Sequence, residues 1–192
     1  MENFMKKNGN CHEEYLKIDL NAFEWKIIYI DDVYIKNKRD YENEKFEGKG
    51  KFIDEKGNYY IGEWKNGLKH GKGIIYYKNE SILYEGDFIN GKYEGNGKYY
   101  YENGEYYIGQ HKNSLKHGKG IFYYKNGNIK YEGDFINGKY EGNGKYIDEN
   151  GDYYIGEWKD DSKHGKGIYY YKNGNIKHEA NFINNLMECI IF

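Results

Sequence analysis

The sequence predicts an all-β fold: an elongated, single-layered, twisted antiparallel sheet of consecutive β-hairpins, laid out as an open repeat array. Three observations lead there. A Tyr-x-Gly pair recurs at Tyr60/Gly62, Tyr84/Gly86, Tyr107/Gly109, Tyr131/Gly133 and Tyr154/Gly156, in steps of 24, 23, 24 and 23 residues, and a period of roughly 20 to 50 residues marks a repeat architecture. Within a copy the pattern alternates by two: Tyr60, Gly62 and Trp64 fall on one strand face and Ile61, Glu63 and Lys65 on the other, and in the return strand Gly71, Gly73 and Ile75 alternate with Lys72, Ile74 and Tyr76. Asn-Gly, which accepts the positive φ angles of a tight hairpin, recurs at Asn66, Asn90, Asn103, Asn126, Asn137, Asn150 and Asn173.

The elements follow in chain order. Residues 1–40 lack the repeat and read as an N-terminal cap: Phe23, Trp25, Ile27 and Tyr29 alternate as in a strand, a turn falls at Asp31-Asp32, and Val33 to Ile35 forms a second short run. The array spans 41–177, with a partial copy from Tyr41 and full copies from Tyr60, Tyr84, Tyr107, Tyr131 and Tyr154. It alternates in pairs, since Tyr84 to Lys98 returns letter for letter at Tyr131 to Lys145, 47 residues on. Residues 178–192 are a degenerate last copy ending in the apolar Cys189 to Phe192. That tail is either a closing strand or the contact through which a second copy adds to the sheet edge as a homodimer. Glycines admit a close neighbour, so Gly71 and Gly73 are expected to floor the Tyr and Trp rings.

The motif Tyr-x-Gly-x-Trp/Phe followed by Gly-x-Gly resembles the MORN (membrane occupation and recognition nexus) repeat. Tyr60, Gly62, Trp64, Gly67, Gly71 and Gly73 carry the likeness in the first full copy, and Tyr154, Gly156, Trp158, Gly165 and Gly167 in the last. The resemblance implies a single-layered, grooved sheet of MORN-type hairpins. It also implies a scaffold or adaptor role in cytoskeletal, ciliary, junctional or membrane-linked assemblies.

Composition narrows the function. Aromatic residues are 19% of the chain, with 25 tyrosines, so stacked rings stand in for an aliphatic core. With 29 basic and 31 acidic residues the net charge is −2, and Arg39 is the sole arginine. No one-signed field is there to attract nucleic acid. The two cysteines, Cys11 and Cys189, sit far apart and read as reduced thiols of a cytoplasmic protein. No apolar run reaches the roughly 18 residues of a membrane helix, and no secretion signal is evident.

Motifs that mimic chemistry dissolve into repeat phase. Gly86 to Lys92 matches a phosphate-loop core, but Tyr93 stands where Ser or Thr would bind magnesium. His70, His117 and His164 lie two repeats apart, about 19 Å, too far to share a metal whose ligands sit within roughly 2.1 Å. Ser81, Ser114 and Ser162 belong to no nucleophile motif. The expectation is a protein with no catalytic residues, no cofactor and no metal.

Two binding readings remain. In the first, Tyr60, Trp64, Tyr84, Phe88, Tyr107, His111, Phe135, Tyr154 and Trp158 contact a protein partner's helix or extended segment in an aromatic groove. His111, at the position of Trp64, supplies a polar break there. In the second, Lys72, Lys119 and Lys166 beside the Gly-x-Gly turns hold an acidic phospholipid at the inner face of a membrane. The opposite sheet face, with Ile61, Ile74, Tyr76, Ile108, Ile121, Tyr123, Ile155, Ile168 and Tyr170, is either a further contact stripe or β-forming residues beside lysine stems.

Overall fold

The computed structural model describes residues 47–188, together with the backbone of 26–28. These form one open sheet of fourteen strands in strictly sequential order, every neighbouring pair antiparallel. The strands are β1 (Lys26–Ile28), β2 (Gly48–Ile53), β3 (Tyr59–Lys65), β4 (Leu68–Tyr76), β5 (Ile82–Ile89), β6 (Lys92–Tyr100) and β7 (Tyr106–Lys112). They continue with β8 (Leu115–Tyr123), β9 (Ile129–Ile136), β10 (Lys139–Ile147), β11 (Tyr153–Lys159), β12 (Ser162–Tyr170), β13 (Ile176–Ile183) and β14 (Leu186–Met187). Each repeat therefore supplies two strands. Of the proposed cap, β1 pairs with β2 through Ile27 opposite Phe52; the run at Val33, both cysteines and the tail from Cys189 lie outside the described residues.

Strand register sorts one face, the aromatic face, into three tracks running across the sheet. The middle track is glycine on eleven consecutive strands, Gly50, Gly62, Gly73, Gly86, Gly97, Gly109, Gly120, Gly133, Gly144, Gly156 and Gly167, before Ala180 ends it. On its loop side run Phe52, Tyr60, Ile75, Tyr84, Tyr99, Tyr107, Phe122, Tyr131, Tyr146, Tyr154 and Tyr169. The tyrosines of the odd-numbered strands lean over the glycine track. A Cβ at Gly62 would come 2.5 Å from the Tyr60 Cζ, and one at Gly73 2.6 Å from the same atom.

Each leaning ring is tied down at its far end. Tyr60, Tyr84, Tyr107, Tyr131 and Tyr154 donate their hydroxyls to the backbone carbonyl three residues on, at 2.8, 3.1, 2.9, 3.1 and 3.2 Å. The Tyr-x-Gly spacing follows from this: the ring must cross residue i+2 to reach the carbonyl of i+3, so residue i+2 has no room for a side chain. The expected floor is corrected in one member. Gly73 lies under a ring, but its companion is Gly62 rather than Gly71. Gly71 has φ 59° in a bulge of the return strand, where a Cβ would run into Glu63 on the other face.

Turns fall into two kinds. At the hairpin tips Asn66-Gly67, Asn90-Gly91 and Asn137-Gly138 have positive φ at both residues, the two-residue geometry whose twist suits the strands. The same geometry is held without glycine at Asn113-Ser114, Asp160-Asp161 and Asn184-Asn185. At the opposite rim, Asn103-Gly104, Asn126-Gly127, Asn150-Gly151 and Asn173-Gly174 put only the glycine at positive φ. There the glycine N–H returns to the carbonyl three residues earlier, as from Gly104 to Tyr101 at 2.9 Å. One dipeptide thus serves two turns, and the expectation of positive φ at both residues holds only at the tips.

Candidate interaction surface

The residues expected to touch a partner are the core. Tyr60, Tyr84, Phe88, Tyr107, Phe135 and Tyr154 are at most 1% exposed, and Trp64, His111 and Trp158 at most 8%. They meet edge to face, as in Tyr60 with Trp64 (5.2 Å), Tyr107 with Phe135 (4.9 Å) and Tyr131 with Trp158 (5.4 Å) between ring centroids, the arrangement aromatic quadrupoles favour. Direct contact by these nine side chains is corrected accordingly: each is sealed by its neighbours, and any visitor to this face meets what lies over them.

The third track, at the tip side of the glycines, alternates buried members of this set with the side chains that lie over the leaning tyrosines. It reads Trp64, Lys69, Phe88, Tyr93, His111, Lys116, Phe135, Tyr140, Trp158 and Lys163 on successive strands. Alternate copies use different lids. Tyr93 stacks flat on Tyr84 (3.8 Å, 12°) and Tyr140 on Tyr131 (3.7 Å, 13°). In the other copies a lysine takes the place: Lys69 over Tyr60 at 5.2 Å, Lys116 over Tyr107 at 5.9 Å and Lys163 over Tyr154 at 5.5 Å.

Burial shapes the titration of this face. Desolvation raises the Tyr60, Tyr84, Tyr107 and Tyr131 hydroxyls far above their ordinary value and Tyr154 to about 12. Desolvation lowers His111 to about 4, against the opposing pull of the Gly109 backbone and with help from the Lys116 charge. The same cause lowers Lys69 and Lys116. His111 therefore sits in the core as a neutral ring, with its Nδ1 shielded and unbonded, and is not a polar break open to a partner.

The lysines of the lipid reading lie on the other face. Lys72 pairs with Asp87 at 2.5 Å and Lys119 with Asp134 at 2.6 Å, each across neighbouring strands. Lys166 occupies the same register opposite Asn181. Here too run the isoleucines, cross-paired as Ile61/Ile74, Ile108/Ile121 and Ile155/Ile168 and flanked by Lys51, Lys98, Lys145, Glu85, Glu132 and Glu179. Tyr76, Tyr123 and Tyr170 stack on Tyr59, Tyr106 and Tyr153 at 4.6, 4.5 and 4.7 Å. This stripe is half-exposed, with Ile108 and Ile155 the most open of its isoleucines.

His70, His117 and His164 are half-buried on this second face, and each Nδ1 lacks a hydrogen-bond partner. Among the described residues no group of three His, Cys, Asp or Glu could hold a metal. An open cleft of about 1220 Å³ lies at the loop rim, lined by Asn58, Tyr77, Asn79, Tyr100, Tyr101 and Glu102 among others. A smaller version recurs 47 residues on at Tyr124, Asn126, Ile147, Asp148 and Glu149.

Sequence reasoning missed Lys69, Lys116 and Lys163. The signal was present, since the even spacing from Lys69 to Gly73 puts it on the aromatic face, and the 24-residue step puts it at the repeat position of Tyr93.

Six consecutive segments of the chain, residues 40–59, 60–82, 84–106, 107–129, 131–153 and 154–176, match the family model of the MORN repeat. Five of the six begin at the tyrosines that lean over the glycine track. A search of curated proteins found no match to the chain.

Proposed function

The chain belongs to the MORN-repeat family, and from that premise we propose that it is a non-catalytic scaffold whose aromatic face receives a segment of a protein partner. The observation that carries this reading is the lid track. It is a straight run of rings and lysine stems over a sealed aromatic core, rigid because every leaning tyrosine is bonded at its far end. The tyrosine hydroxyls with raised titration follow the repeat period instead of converging on one pair, as an active site requires. A site for the scaffold in the cytoplasm, within a cytoskeletal or membrane-linked assembly, is part of the proposal, as is self-association through the C-terminal end, where Leu186 is 73% exposed.

The phospholipid reading has a specific obstacle in the carboxylates already bound to Lys72 and Lys119. The test is capture of partners by the intact protein and by two surface variants. Tyr99→Glu places a charge on the aromatic face and Ile108→Glu places one on the opposite face. Loss of the same partner with the first variant alone supports the proposal. Loss with the second alone moves the site to the isoleucine face, and binding to phosphatidylserine vesicles that neither variant disturbs favours the lipid reading.

A further inference from the structure

Three lysines on the aromatic face stand outside the ion pairs of the described residues, with Asp54 acting on Lys69, and Asp161 on Lys116, only from beyond ion-pair distance. At the loop side of this face the charges are matched: Lys130 binds Glu105 at 2.6 Å and Lys177 binds Asp152 at 3.4 Å. Where the bulge residue of β5 is Leu83 instead of lysine, the facing loop residue is Asn58 rather than an acid. On the other face Lys72 and Lys119 are matched as well. Lys69, Lys116 and Lys163 differ: among the described residues none of them has a carboxylate within ion-pair distance, although all three are half-buried.

Their surroundings make the mismatch costly. The Lys116 ammonium lies 4.8 Å from the Phe122 ring centroid and 5.3 Å from that of Phe135. Asp161, Lys130 and Glu105 act on its charge from beyond ion-pair distance, the last two already paired with each other. Lys163 lies 5.1 Å from the Tyr169 centroid and 5.7 Å from that of Trp158. A desolvated cation gains more from an arriving carboxylate than an exposed one, because the local dielectric is lower and little water remains to be displaced.

We propose that Lys69, Lys116 and Lys163 are the anchor points for an extended acidic segment of the partner protein, one carboxylate docking at each. The spacing selects the segment. Neighbouring lysines are four strands apart, about 19 Å at roughly 4.8 Å per strand, and an extended chain covers about 20 Å in six residues at ~3.3 Å each. Six is even, so acids at i, i+6 and i+12 face the same way. The rings of Tyr93 and Tyr140, midway between the lysines, meet the apolar side chains between those acids. This inference rests on the scaffold reading and names its ligand.

The probe is a synthetic fifteen-residue-class peptide, of about that length, with glutamate at every sixth position and serine and leucine between, against the same composition with glutamate at every fourth. Binding is followed by fluorescence of a label on the peptide. Two triple variants of the full chain are compared: Lys69, Lys116 and Lys163 each →Met, which keeps the stem over the ring, and Lys72, Lys119 and Lys166 each →Met, which changes the net charge equally on the other face. Near-ultraviolet circular dichroism checks that both keep the native ring packing. The expected result is loss of roughly tenfold or more in affinity for the first variant, little change for the second, and preference for the six-residue spacing.

Equal losses in the two variants would mean unspecific attraction and overturn the inference. So would absence of binding by the unsubstituted chain, or groove-lysine-dependent binding of phosphatidylserine vesicles in place of the peptide. If the peptide fails while Tyr99→Glu still abolishes partner capture, the acidic segment is wrong and the aromatic-face scaffold stands. If Tyr99→Glu is also silent, both fall.

Discussion

The repeats that begin at Tyr107 and Tyr154 share a frame and differ in its filling. In both, the leaning tyrosine crosses two glycines, Gly109 and Gly120 in one and Gly156 and Gly167 in the other. In the Tyr154 repeat Trp158 fills the pocket between Tyr131 and Tyr140, 5.4 Å from each, and donates its indole N–H to the Gly144 carbonyl at 3.2 Å. In the Tyr107 repeat the smaller His111 takes that place. The loop of this repeat carries Tyr101, which packs edge-on to Phe122 at 5.4 Å, where the Tyr154 repeat has Asp148. The Trp64 repeat has Asp54 at the same position. The repeat with the smaller ring at the Trp158 position thus carries an additional ring at its loop, while the tyrosine and glycine positions, fixed by backbone contact, do not exchange.

The largest expected effect tests the shared frame. Gly120→Val and Gly167→Val should each destabilise by about 3 kcal/mol or more, because the branched side chain would be driven into a ring whose hydroxyl is already bonded. At Gly120 the first added atom would lie 2.5 Å from Tyr107 Cζ. Lys119→Val, one residue away on the exposed face, should cost no more than about 0.5 kcal/mol. Urea midpoints decide the matter, and equal shifts for Gly120 and Lys119 would remove the glycine track as the determinant of the fold.

Acid separates the two repeats next. An unfolded histidine titrates near 6.5, whereas burial lowers His111 to about 4 in the fold. Between those values the unfolded chain holds the extra proton, so stability is fully present above pH 6.5 and declines as pH falls toward 4. The upper bound is about 3 kcal/mol, from roughly 2.5 units at 1.36 kcal/mol each. The measurement is a difference: His111→Phe should flatten the decline in thermal midpoint between pH 6.5 and 4 relative to the parent. Parallel curves would mean His111 is protonated inside the fold at little cost.

Exchanging the filling should have a smaller effect. Trp158→His removes a hydrogen bond and part of a buried ring, and is expected to cost about 2 kcal/mol. Adding Asp148→Tyr, which imports the loop ring of the repeat that carries His111, should recover about half of that. Thermal midpoints of the two single variants and the pair would show additivity instead if the compensation between the positions is illusory.

The parts of this fold that were legible in the sequence are those that backbone geometry dictates. The period, the tyrosine-to-glycine spacing and the tip turns could be read because a close approach or a positive φ leaves few residue choices. Burial of the ring set was harder to see, because a single sheet layer suggests open faces. The aromatic face seals itself when each ring lies along its strand instead of standing off it. Lys69, Lys116 and Lys163 were passed over because lysine reads as solvated, although Tyr93 and Tyr140 at the same register show the position to be a lid. Gly71 misled for the opposite reason: its alternation was right, but a bulge carries it out from under the ring.

The smallest effect concerns the charged pair that distinguishes the middle of the array from its beginning. Lys130 is the bulge residue of β9, paired with Glu105 across the loop rim at 2.6 Å, both partners about a fifth exposed. Burial pushes the Glu105 carboxyl up, yet the bonds from Lys130 and Asn103 outweigh it and hold the group below the usual carboxylate value. The first copy manages the same corner with Leu83 and Asn58, so the charges are not needed for the geometry. Lys130→Leu alone strands a half-buried carboxylate, and Glu105→Asn alone leaves Lys130 beside Lys116, whose charge it already disfavours. Each single change should cost more than the two together, with a coupling of about 1 kcal/mol and a double variant within about 0.5 kcal/mol of the parent. A double-mutant cycle in urea measures both quantities, and a coupling near zero would mean that the pair is screened like any surface pair and that its appearance only where the bulge carries lysine has no energetic cause.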